Sequence, residues 1–311
     1  MYIITEPLLD EGLKILRTIG EVRVIENTNP ENLKAEIRNA DAIVVKFARI
    51  TKECIDVAHH LKVIAKHGVG TDNIDVERAT ERGIWVVNVP AANADSVAEF
   101  TIGLILAITR RIPEGVQQIK EGKWERESLL GLELTGKTLG IIGFGTIGQK
   151  VARKIKGFDM KLLTYDPFVS KEKAAELGAV LVDLDTLLRE SDIITLHLPL
   201  NKETRGLIGE RELKMVKPSS FLINAARSEI VDKKALISAI KEKRLAGVAL
   251  DVFETEPPPS NDELLALPNV YATPHIAAMT KQVQENIVRT VCSDVVRVLK
   301  GEAPVNAINR V

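Results

Sequence analysis

The sequence is poor in cysteine and in aromatic residues. Its two cysteines, Cys54 and Cys292, lie far apart and form no CxxC pair. We therefore expect neither a disulfide framework nor a zinc site, and no other metal site is predicted. Aromatic residues make up only 4% of the chain, so a stacking surface for single-stranded nucleic acid is not expected. A reducing cytoplasm is the simplest predicted location.

Strong charge and long apolar runs are also lacking. The net charge of −1 gives no electrostatic reason to expect binding to nucleic acid or to an anionic membrane. The longest apolar run, residues 100–108, is too short to span a bilayer. The first residues carry acids and no basic start, so a signal peptide is not expected. The predicted partner is a small molecule.

What the chain does contain is a repeated strand and helix pattern over 311 residues, a length that suits two domains. Short Val- and Ile-rich runs alternate with stretches of helical period, and the pattern restarts near residue 138. The runs show little polar alternation, as expected of parallel strands covered on both faces. The sequence therefore predicts an α/β protein with two doubly wound parallel sheets. The first five strands are predicted at 2–5, 22–25, 42–45, 62–65 and 85–88.

Two helices stand out from this pattern. One begins near Ser96 and is apolar on nearly all sides, which predicts broad burial between domains or subunits. Pro113 is expected to kink or divide it. The last helix follows residue 280 and ends at Gly301, a suitable C-terminal cap. We expect this last helix to pack on the first series of strands.

A glycine-rich turn is the strongest local motif. Gly143, Gly145 and Gly148 form G-x-G-x-x-G after an apolar strand and at the start of a helix. The three glycines would allow a tight turn, close approach of a pyrophosphate, and close packing of helix on strand. The amides near Thr146 and Ile147 would face the phosphates at the helix N-terminus.

An acid follows the next strand. Asp166 lies 18 residues after Gly148, where its carboxylate would bind the ribose hydroxyls and repel a 2′-phosphate. The predicted cofactor is therefore NAD rather than NADP.

Charged residues follow the later strands. Arg227 follows one strand, Glu254 and Glu256 follow the next, with Asp251 at that strand's end, and His275 follows the last. Each of these residues would by itself more often be structural. Ligands of open α/β sheets bind beyond the carboxyl ends of the strands, so all of them are predicted at the edge that carries the glycine turn.

The residue types fit the reduction of a 2-oxo acid to a 2-hydroxy acid. Arg227 can hold a carboxylate with two hydrogen bonds. His275 can donate a proton to the adjacent carbonyl oxygen and remove it in the reverse direction. A carboxylate bonded to the other imidazole nitrogen would fix the tautomer. Spacing does not decide between Glu254 and Glu256.

Seven motifs, in order along nearly the whole chain, resemble the D-isomer-specific 2-hydroxyacid dehydrogenases. They are HGVGTDNID (67–75), NADSVAEFTIGLIL (93–106), GLELTGKTLGIIGFGTIGQKVA (131–152), DIITLHLPLNKETRGLI (192–208), FLINAARSEIVD (221–232), LAGVALDVFETEPP (245–258) and NVYATPHIAAMT (269–280).

The resemblance implies a set of site residues. The catalytic set of the family falls on Arg227, Glu256 and His275, and Asp251 is expected beside the nicotinamide. The implied substrate contacts are Val69, Gly70, Asn93, Arg227 and His275. Lys46, or alternatively Arg49, is a further candidate for contact with a phosphate of the substrate. The further implied cofactor contacts are Asp166, His197, Pro199, Thr204, Ala225, Ala226, Arg227, His275, Ala277 and Ala278.

The resemblance also implies the domain organisation. A flavodoxin-like substrate domain would comprise residues 1–94 and 279–311, and a Rossmann NAD-binding domain would comprise residues 95–278. A cleft between them would close on the substrate. A homodimer through the NAD-binding domain is expected.

Two departures from the family pattern bear on the substrate. The family often has glycine where this chain has Ser228, and a serine held at positive φ there would cost about 1 kcal/mol. Phosphoglycerate dehydrogenases usually carry Arg-Ser after the third strand, where this chain has Lys46 and Phe47. The leading expectation is a 3-phosphoglycerate dehydrogenase of serine biosynthesis. The alternatives are a glyoxylate or hydroxypyruvate reductase, and, in another class, an NAD-sensing corepressor.

Overall fold

Parallel strands run through the whole chain and form two separate sheets. The structure, a computed structural model, describes residues 1–311. Its internal contacts divide the chain into two compact units, residues 1–93 with 279–311 and residues 94–278. No helix is both long enough and apolar enough to cross a membrane.

The first unit contains a five-stranded parallel sheet with the strand order β2-β1-β3-β4-β5. This is the flavodoxin-like order, in which the order reverses between β1 and β3. The elements are β1 (Tyr2–Thr5), α1 (Asp10–Arg17), β2 (Glu21–Val24), α2 (Pro30–Ile37), β3 (Ala42–Val45), α3 (Lys52–Val57), β4 (Val63–Lys66), α4 (Val76–Glu81) and β5 (Trp85–Val87).

The second unit contains a seven-stranded parallel sheet with the order β12-β11-β10-β9-β6-β7-β8. Counted from its own first strand, this is the Rossmann order with one strand added at the edge, and the order reverses between β6 and β9. The elements are α5 (Ala94–Thr109), α6 (Ile112–Lys120), β6 (Thr138–Ile142), α7 (Thr146–Lys154), β7 (Lys161–Tyr165), α8 (Lys171–Glu176), β8 (Ala179–Leu181), α9 (Leu184–Glu190), β9 (Ile193–Leu196), α10 (Glu210–Leu213), β10 (Phe221–Asn224), α11 (Lys233–Lys241), β11 (Gly247–Leu250) and β12 (Val270–Ala272).

The last helix, α12 (Lys281–Leu299), belongs to the first unit. It packs on α1 and on the central strands β3 and β4. The Thr280 hydroxyl caps its N-terminus by accepting from the Val283 N–H at 3.3 Å. Gly301, with φ of +85°, takes the chain away from its end, a conformation that glycine adopts without strain.

The predicted two-sheet α/β class is confirmed, and the reason is visible in the burial of the strands. Every residue of β3, β9 and β11 is buried. A strand covered on both faces reads as a continuous apolar run rather than as an alternating one. The Val- and Ile-rich runs therefore marked the strands correctly.

Pro113 divides the apolar helix that was predicted to begin near Ser96. Helix α5 ends at Thr109, and α6 begins at Ile112 with Pro113 in its first turn. Proline lacks an N–H and fits the first turn of a helix but not its interior. Within the second unit, α5 packs on α7, β10 and β11, whereas no residue of α6 is buried.

Candidate active site

The glycine turn lies where the order of the second sheet reverses. Gly143 directly follows β6 and has φ of +90°. A Cβ there would lie 2.5 Å from the carbonyl oxygen of His197. A Cβ on Gly148 would collide with the Gly143 carbonyl oxygen. A Cβ on Gly145 would meet no atom within 4 Å. Two glycines therefore allow tight packing, and the third leaves open space beside the turn.

This turn fits a dinucleotide. Gly145 is the N-cap residue of α7, and no side chain caps the helix there. The first amides of the helix, at Thr146 and Ile147, thus face the open side with the helix dipole behind them. These residues would hold the pyrophosphate of the cofactor.

Asp166 cross-links the glycine turn to the end of β7. Its Oδ2 accepts from the Phe144 N–H at 2.7 Å, and its Oδ1 accepts from the Phe168 N–H at 2.8 Å. Phe144 is fully buried, so this bond fixes the backbone between the first two glycines. The sequence placed Asp166 correctly at a strand end but did not reveal this second, structural part of its role. Its predicted contact with the ribose stays a prediction.

His197 follows β9 on the other side of the reversal point. The residue is partly buried, and the loss of hydration around its ring lowers its pKa to about 3 and keeps the imidazole neutral. Its Nε2 lies 3.0 Å from the Thr195 hydroxyl, while Nδ1 is buried without a hydrogen-bond partner. In the turn that follows, the Thr204 hydroxyl donates to the Pro199 carbonyl at 2.7 Å. The predicted adenosine contacts of these three residues stay predictions.

Arg227 lies in the turn after β10, which the side chain of Asn224 shapes. Asn224 Nδ2 donates to the Arg227 carbonyl at 2.9 Å, and its Oδ1 accepts from the Ala226 N–H at 3.0 Å. The Arg227 guanidinium donates to the Ala226 carbonyl at 2.8 Å. Ala225 lies between Asn224 and Ala226. The turn is therefore fixed from within by an amide that the sequence did not single out.

The predicted difficulty at Ser228 does not arise. Ser228 begins a short 3₁₀ turn, Ser228–Ile230, and it is not among the residues with positive φ. Serine adopts this backbone without strain, so the replacement of the family's glycine carries no cost at this position.

His275 and Glu256 form the central pair of the site. His275 Nδ1 lies 2.8 Å from Glu256 Oε2, and both side chains are partly exposed. Glu256 Oε1 accepts from the Phe253 N–H at 3.1 Å, which holds the carboxylate in place. His275 has φ of +53°, an uncommon conformation for a residue other than glycine. Spacing left Glu254 and Glu256 open, and the structure pairs His275 with Glu256.

Asp251 holds the segment that carries His275. The side chain is fully buried, and its Oδ1 accepts from the Thr273 hydroxyl at 2.6 Å and from the Ile276 N–H at 2.9 Å. Its Oδ2 accepts from the Ala277 N–H at 2.8 Å. Asp251 therefore binds on both sides of His275. Its predicted contact with the nicotinamide stays a prediction.

Ala277 and Ala278 close the second unit. Ala277 is buried, and its carbonyl accepts from the Ser96 hydroxyl at 2.6 Å. Ala278 is the last residue of the unit. Together with the Asp251 bonds, this contact fixes the backbone that follows His275.

In the first unit, Lys46 follows β3 at the reversal point of that sheet. Three consecutive backbone amides, from Lys46, Phe47 and Ala48, donate to the buried carboxylate of Glu6, with Lys46 N at 2.6 Å. Burial lowers the pKa of the Lys46 ammonium, while Glu6 opposes that shift. The sequence missed Glu6, although an acid directly after β1 would be expected at this edge.

Val69 and Gly70 follow β4 in the same unit. The Asn88 side chain donates to the Val69 carbonyl at 2.6 Å, which holds this segment in place. Nearby His67 is buried beside Lys46, and burial and that positive charge lower its pKa to about 4. Asn93 is the last residue before the second unit. The substrate contacts predicted for Lys46, Val69, Gly70 and Asn93 stay predictions.

The strand order, the glycine turn and its open helix N-terminus define a dinucleotide-binding α/β protein. Residues 102–277 match the model of the D-isomer specific 2-hydroxyacid dehydrogenase NAD binding domain. The chain therefore belongs to the D-isomer specific 2-hydroxyacid dehydrogenase family, and its second unit contains the NAD-binding domain of that family.

Relatives in two activity classes resemble the chain to a similar degree. D-3-phosphoglycerate dehydrogenase of Archaeoglobus fulgidus is 47% identical over 309 residues, covering 99% of this chain and 59% of that protein. Glyoxylate reductase of Thermococcus litoralis is 42% identical over 318 residues, covering 99% of this chain and 96% of that protein. The chain thus spans about three fifths of the first relative.

A solved structure has the same fold. The NAD-dependent formate dehydrogenase of Staphylococcus aureus, in complex with NAD, superposes with a TM-score of 0.91 at 32% identity, covering 100% of this chain and 99% of that chain. The fold and the NAD-binding domain are thus shared with a structure that holds the cofactor.

Because desolvation keeps His197 neutral, we expect the free energy of unfolding to fall in mild acid. The unfolded chain takes up a proton near the ordinary pKa of 6.5, whereas the folded protein resists it until about 3. The stabilisation is therefore complete above pH 6.5 and is lost as pH falls towards 3. We expect the wild-type free energy of unfolding to fall by about 2 kcal/mol between pH 7 and 4.5 from this group.

Urea unfolding between pH 7 and 4.5 measures this effect. His197→Asn should flatten the pH dependence relative to the wild type, while His59→Gln, at an exposed histidine, should leave it unchanged. An equal pH dependence in wild type and His197→Asn would contradict the expectation.

Proposed function

We propose that the protein is an NAD-dependent oxidoreductase that interconverts a small 2-oxo acid and the corresponding D-2-hydroxy acid. The observation that carries the proposal is the 2.8 Å contact between His275 and Glu256, at the sheet edge that also carries Arg227 and the glycine turn. Open α/β sheets bind ligands beyond the carboxyl ends of their strands. NAD would supply or accept the hydride at this edge when it is bound.

His275 has the bonding needed to move the proton. Its Nδ1 faces a carboxylate, which is only an acceptor when ionised, so Nδ1 carries a hydrogen and Nε2 is left to face the substrate. In reduction, His275 Nε2 would donate a proton to the carbonyl oxygen, and in oxidation it would remove the hydroxyl proton.

Arg227 would orient the substrate. A guanidinium binds a carboxylate through two parallel hydrogen bonds, which fixes the position of the adjacent carbonyl carbon. The turn that Asn224 holds keeps the Arg227 backbone in place. Orientation by such a clamp supplies a large part of the rate enhancement in reactions of two bound reactants.

Within this activity we propose 3-phosphoglycerate and 3-phosphohydroxypyruvate as the substrate pair. The similarity to the Archaeoglobus fulgidus protein supports it. A glyoxylate or hydroxypyruvate reductase is the second candidate, because Lys46 and the 72% exposed Phe47 stand where the phosphoglycerate dehydrogenases usually carry Arg-Ser. The match to the Thermococcus litoralis protein over nearly its whole length supports that candidate too.

An NADH oxidation assay ranks these substrates. We expect turnover of 3-phosphohydroxypyruvate, hydroxypyruvate and glyoxylate, with kcat/KM for the phosphorylated acid higher by about tenfold, or about 1.4 kcal/mol. A preference for glyoxylate would favour the second candidate. Absence of turnover on every 2-oxo acid would contradict an enzymatic role and would favour an NAD-sensing corepressor.

Removal of the proton donor should separate chemistry from cofactor binding. His275→Ala should lower kcat by about a hundredfold or more, while the Kd for NADH from fluorescence titration stays within about twofold, because only the proton transfer is lost. His60→Ala, at an exposed histidine of the first unit, serves as the control. An unchanged kcat in His275→Ala would contradict the role given to His275.

We also propose that the second unit forms a homodimer through α6. Ile112, Val116 and Ile119 lie on one face of this helix and are each at least half exposed. Trp124 and Leu130, 76% and 87% exposed, follow it. Contiguous apolar surface of this kind marks protein interfaces, and most homo-oligomers are two-fold symmetric dimers.

Light scattering after size exclusion tests this interface. The wild type should elute at about twice the chain mass of 34.2 kDa. Val116→Asp should yield the monomer, because a buried unpaired charge opposes association. Val305→Asp, at a 73% exposed residue of the first unit, should remain a dimer. A monomeric wild type, or a dimeric Val116→Asp, would refute the proposal.

A further inference from the structure

Glu256 lies on a long connection that has little packing beneath it. Residues 251–269 join β11 to β12 without a helix or strand. A cavity of about 180 Å³ lies under the first part of this connection. Its walls include Asn224, Ser228 and Leu236 on one side and Val252, Thr255 and Pro258 on the other. The segment 252–259, called here the Glu256 loop, therefore spans a cavity instead of resting on a filled core.

The Glu256 loop is fixed at its two ends. At the first end, Asp251 is buried and accepts from the Thr273 hydroxyl before His275 and from the Ile276 and Ala277 amides after it. Beyond the second end, Asp262 Oδ2 lies 2.6 Å from Lys233 Nζ, and the Asp262 side chain is only 5% exposed. Asp262 Oδ1 also accepts from the Leu264 N–H at 2.9 Å, and Leu264 lies in the core.

Lys233 connects this second anchor to the turn that carries Arg227. It is the first residue of α11, which begins after the 3₁₀ turn that follows Arg227. The Lys233–Asp262 ion pair thus joins the chain after Arg227 to the chain after Glu256, across the cavity. The bond between Glu256 and Phe253 lies inside the loop. It would move with the loop, so it does not fix the position of the loop relative to the cavity.

We infer that Lys233 and Asp262 are positioning residues, whose ion pair holds the Glu256 loop over the cavity at the place where Glu256 reaches His275. The catalytic part of this inference rests on the proposed function. Atoms that line a cavity lack contacts on that side, so little opposes displacement of the loop. Removal of Lys233 would leave the buried carboxylate of Asp262 without its cation, which is strongly unfavourable.

The neighbouring pair offers a matched control. Lys241 contacts Glu263, the residue after Asp262, but both of these side chains are more than half exposed. Exposed ion pairs contribute little to stability. Lys233→Met and Lys241→Met therefore remove the same charge from the same helix, and only the first removes the buried anchor.

Steady-state kinetics of 2-oxo acid reduction test the positioning role. In Lys233→Met we expect kcat to fall by about fivefold, with KM for NADH unchanged, because proton transfer depends on the placement of His275. KM for the 2-oxo acid should stay within about twofold, because its carboxylate is bound by Arg227 and not by His275. Lys233→Arg should restore kcat, and Lys241→Met should match the wild type.

Hydrogen exchange gives a readout that does not need activity. Peptides covering residues 252–261 should exchange faster in Lys233→Met, and at the wild-type rate in Lys241→Met. Asp262→Asn keeps an oxygen that can accept from the Leu264 N–H, and it should show the same faster exchange. It replaces Lys233→Met in the test if that variant does not fold. Unchanged exchange in Lys233→Met, or an unchanged kcat in that variant of an active enzyme, would overturn the inference. A wild type without turnover on any 2-oxo acid would refute the proposed function. Hydrogen exchange alone would then decide whether the Lys233–Asp262 pair holds the Glu256 loop.

Discussion

The buried carboxylate of Asp251 is the constraint on which the candidate active site depends. It directly follows β11, has no exposed surface, and accepts three hydrogen bonds from the segment on either side of His275. A buried charge is tolerated only when it is well paired. The bonds that satisfy Asp251 therefore also fix the unusual backbone of His275, whose positive φ needs support from its surroundings.

The same arrangement recurs at other strand ends. Glu6 follows β1 and binds three amides after β3, and Asp166 follows β7 and binds the Phe144 amide after β6. In each case the carboxylate at one strand end binds backbone amides that follow another strand. Loops at the carboxyl edge of a parallel sheet have no ladder to satisfy their N–H groups. Carboxylates from neighbouring strands supply the acceptors and thereby make these loops rigid.

Local features of the fold could be predicted because their causes lie within a few residues. Buried parallel strands require continuous Val and Ile runs, Pro113 cannot lie inside a helix, and the glycine turn follows its strand directly. The structure confirms these elements within one or two residues. The pairing of His275 with Glu256 was different, because spacing left two acids open and only the family resemblance chose between them.

The supporting contacts could not be predicted because their partners are distant in sequence. Glu6 and Lys46 are forty residues apart, and nothing local reveals that an acid will bind the amides of a remote loop. The Lys233–Asp262 pair could not be predicted for the same reason, since each of the two residue types is common at an exposed helix end or in an exposed loop. The backbone at Ser228 also depended on the turn that Asn224 builds, so its ordinary conformation was visible only in the fold.

Histidine shows how environment, more than residue type, decides function. Of the five histidines, His67 is buried and His197 is partly buried, and desolvation lowers their pKa to about 4 and about 3. Both are neutral at pH 7 and can serve neither as a proton donor nor as a cation there. A histidine after a strand is more often of this structural kind. His275 differs because it is partly exposed and bonded to a carboxylate. It therefore combines an accessible ring with a partner that fixes its tautomer, and these are two properties that a proton donor needs.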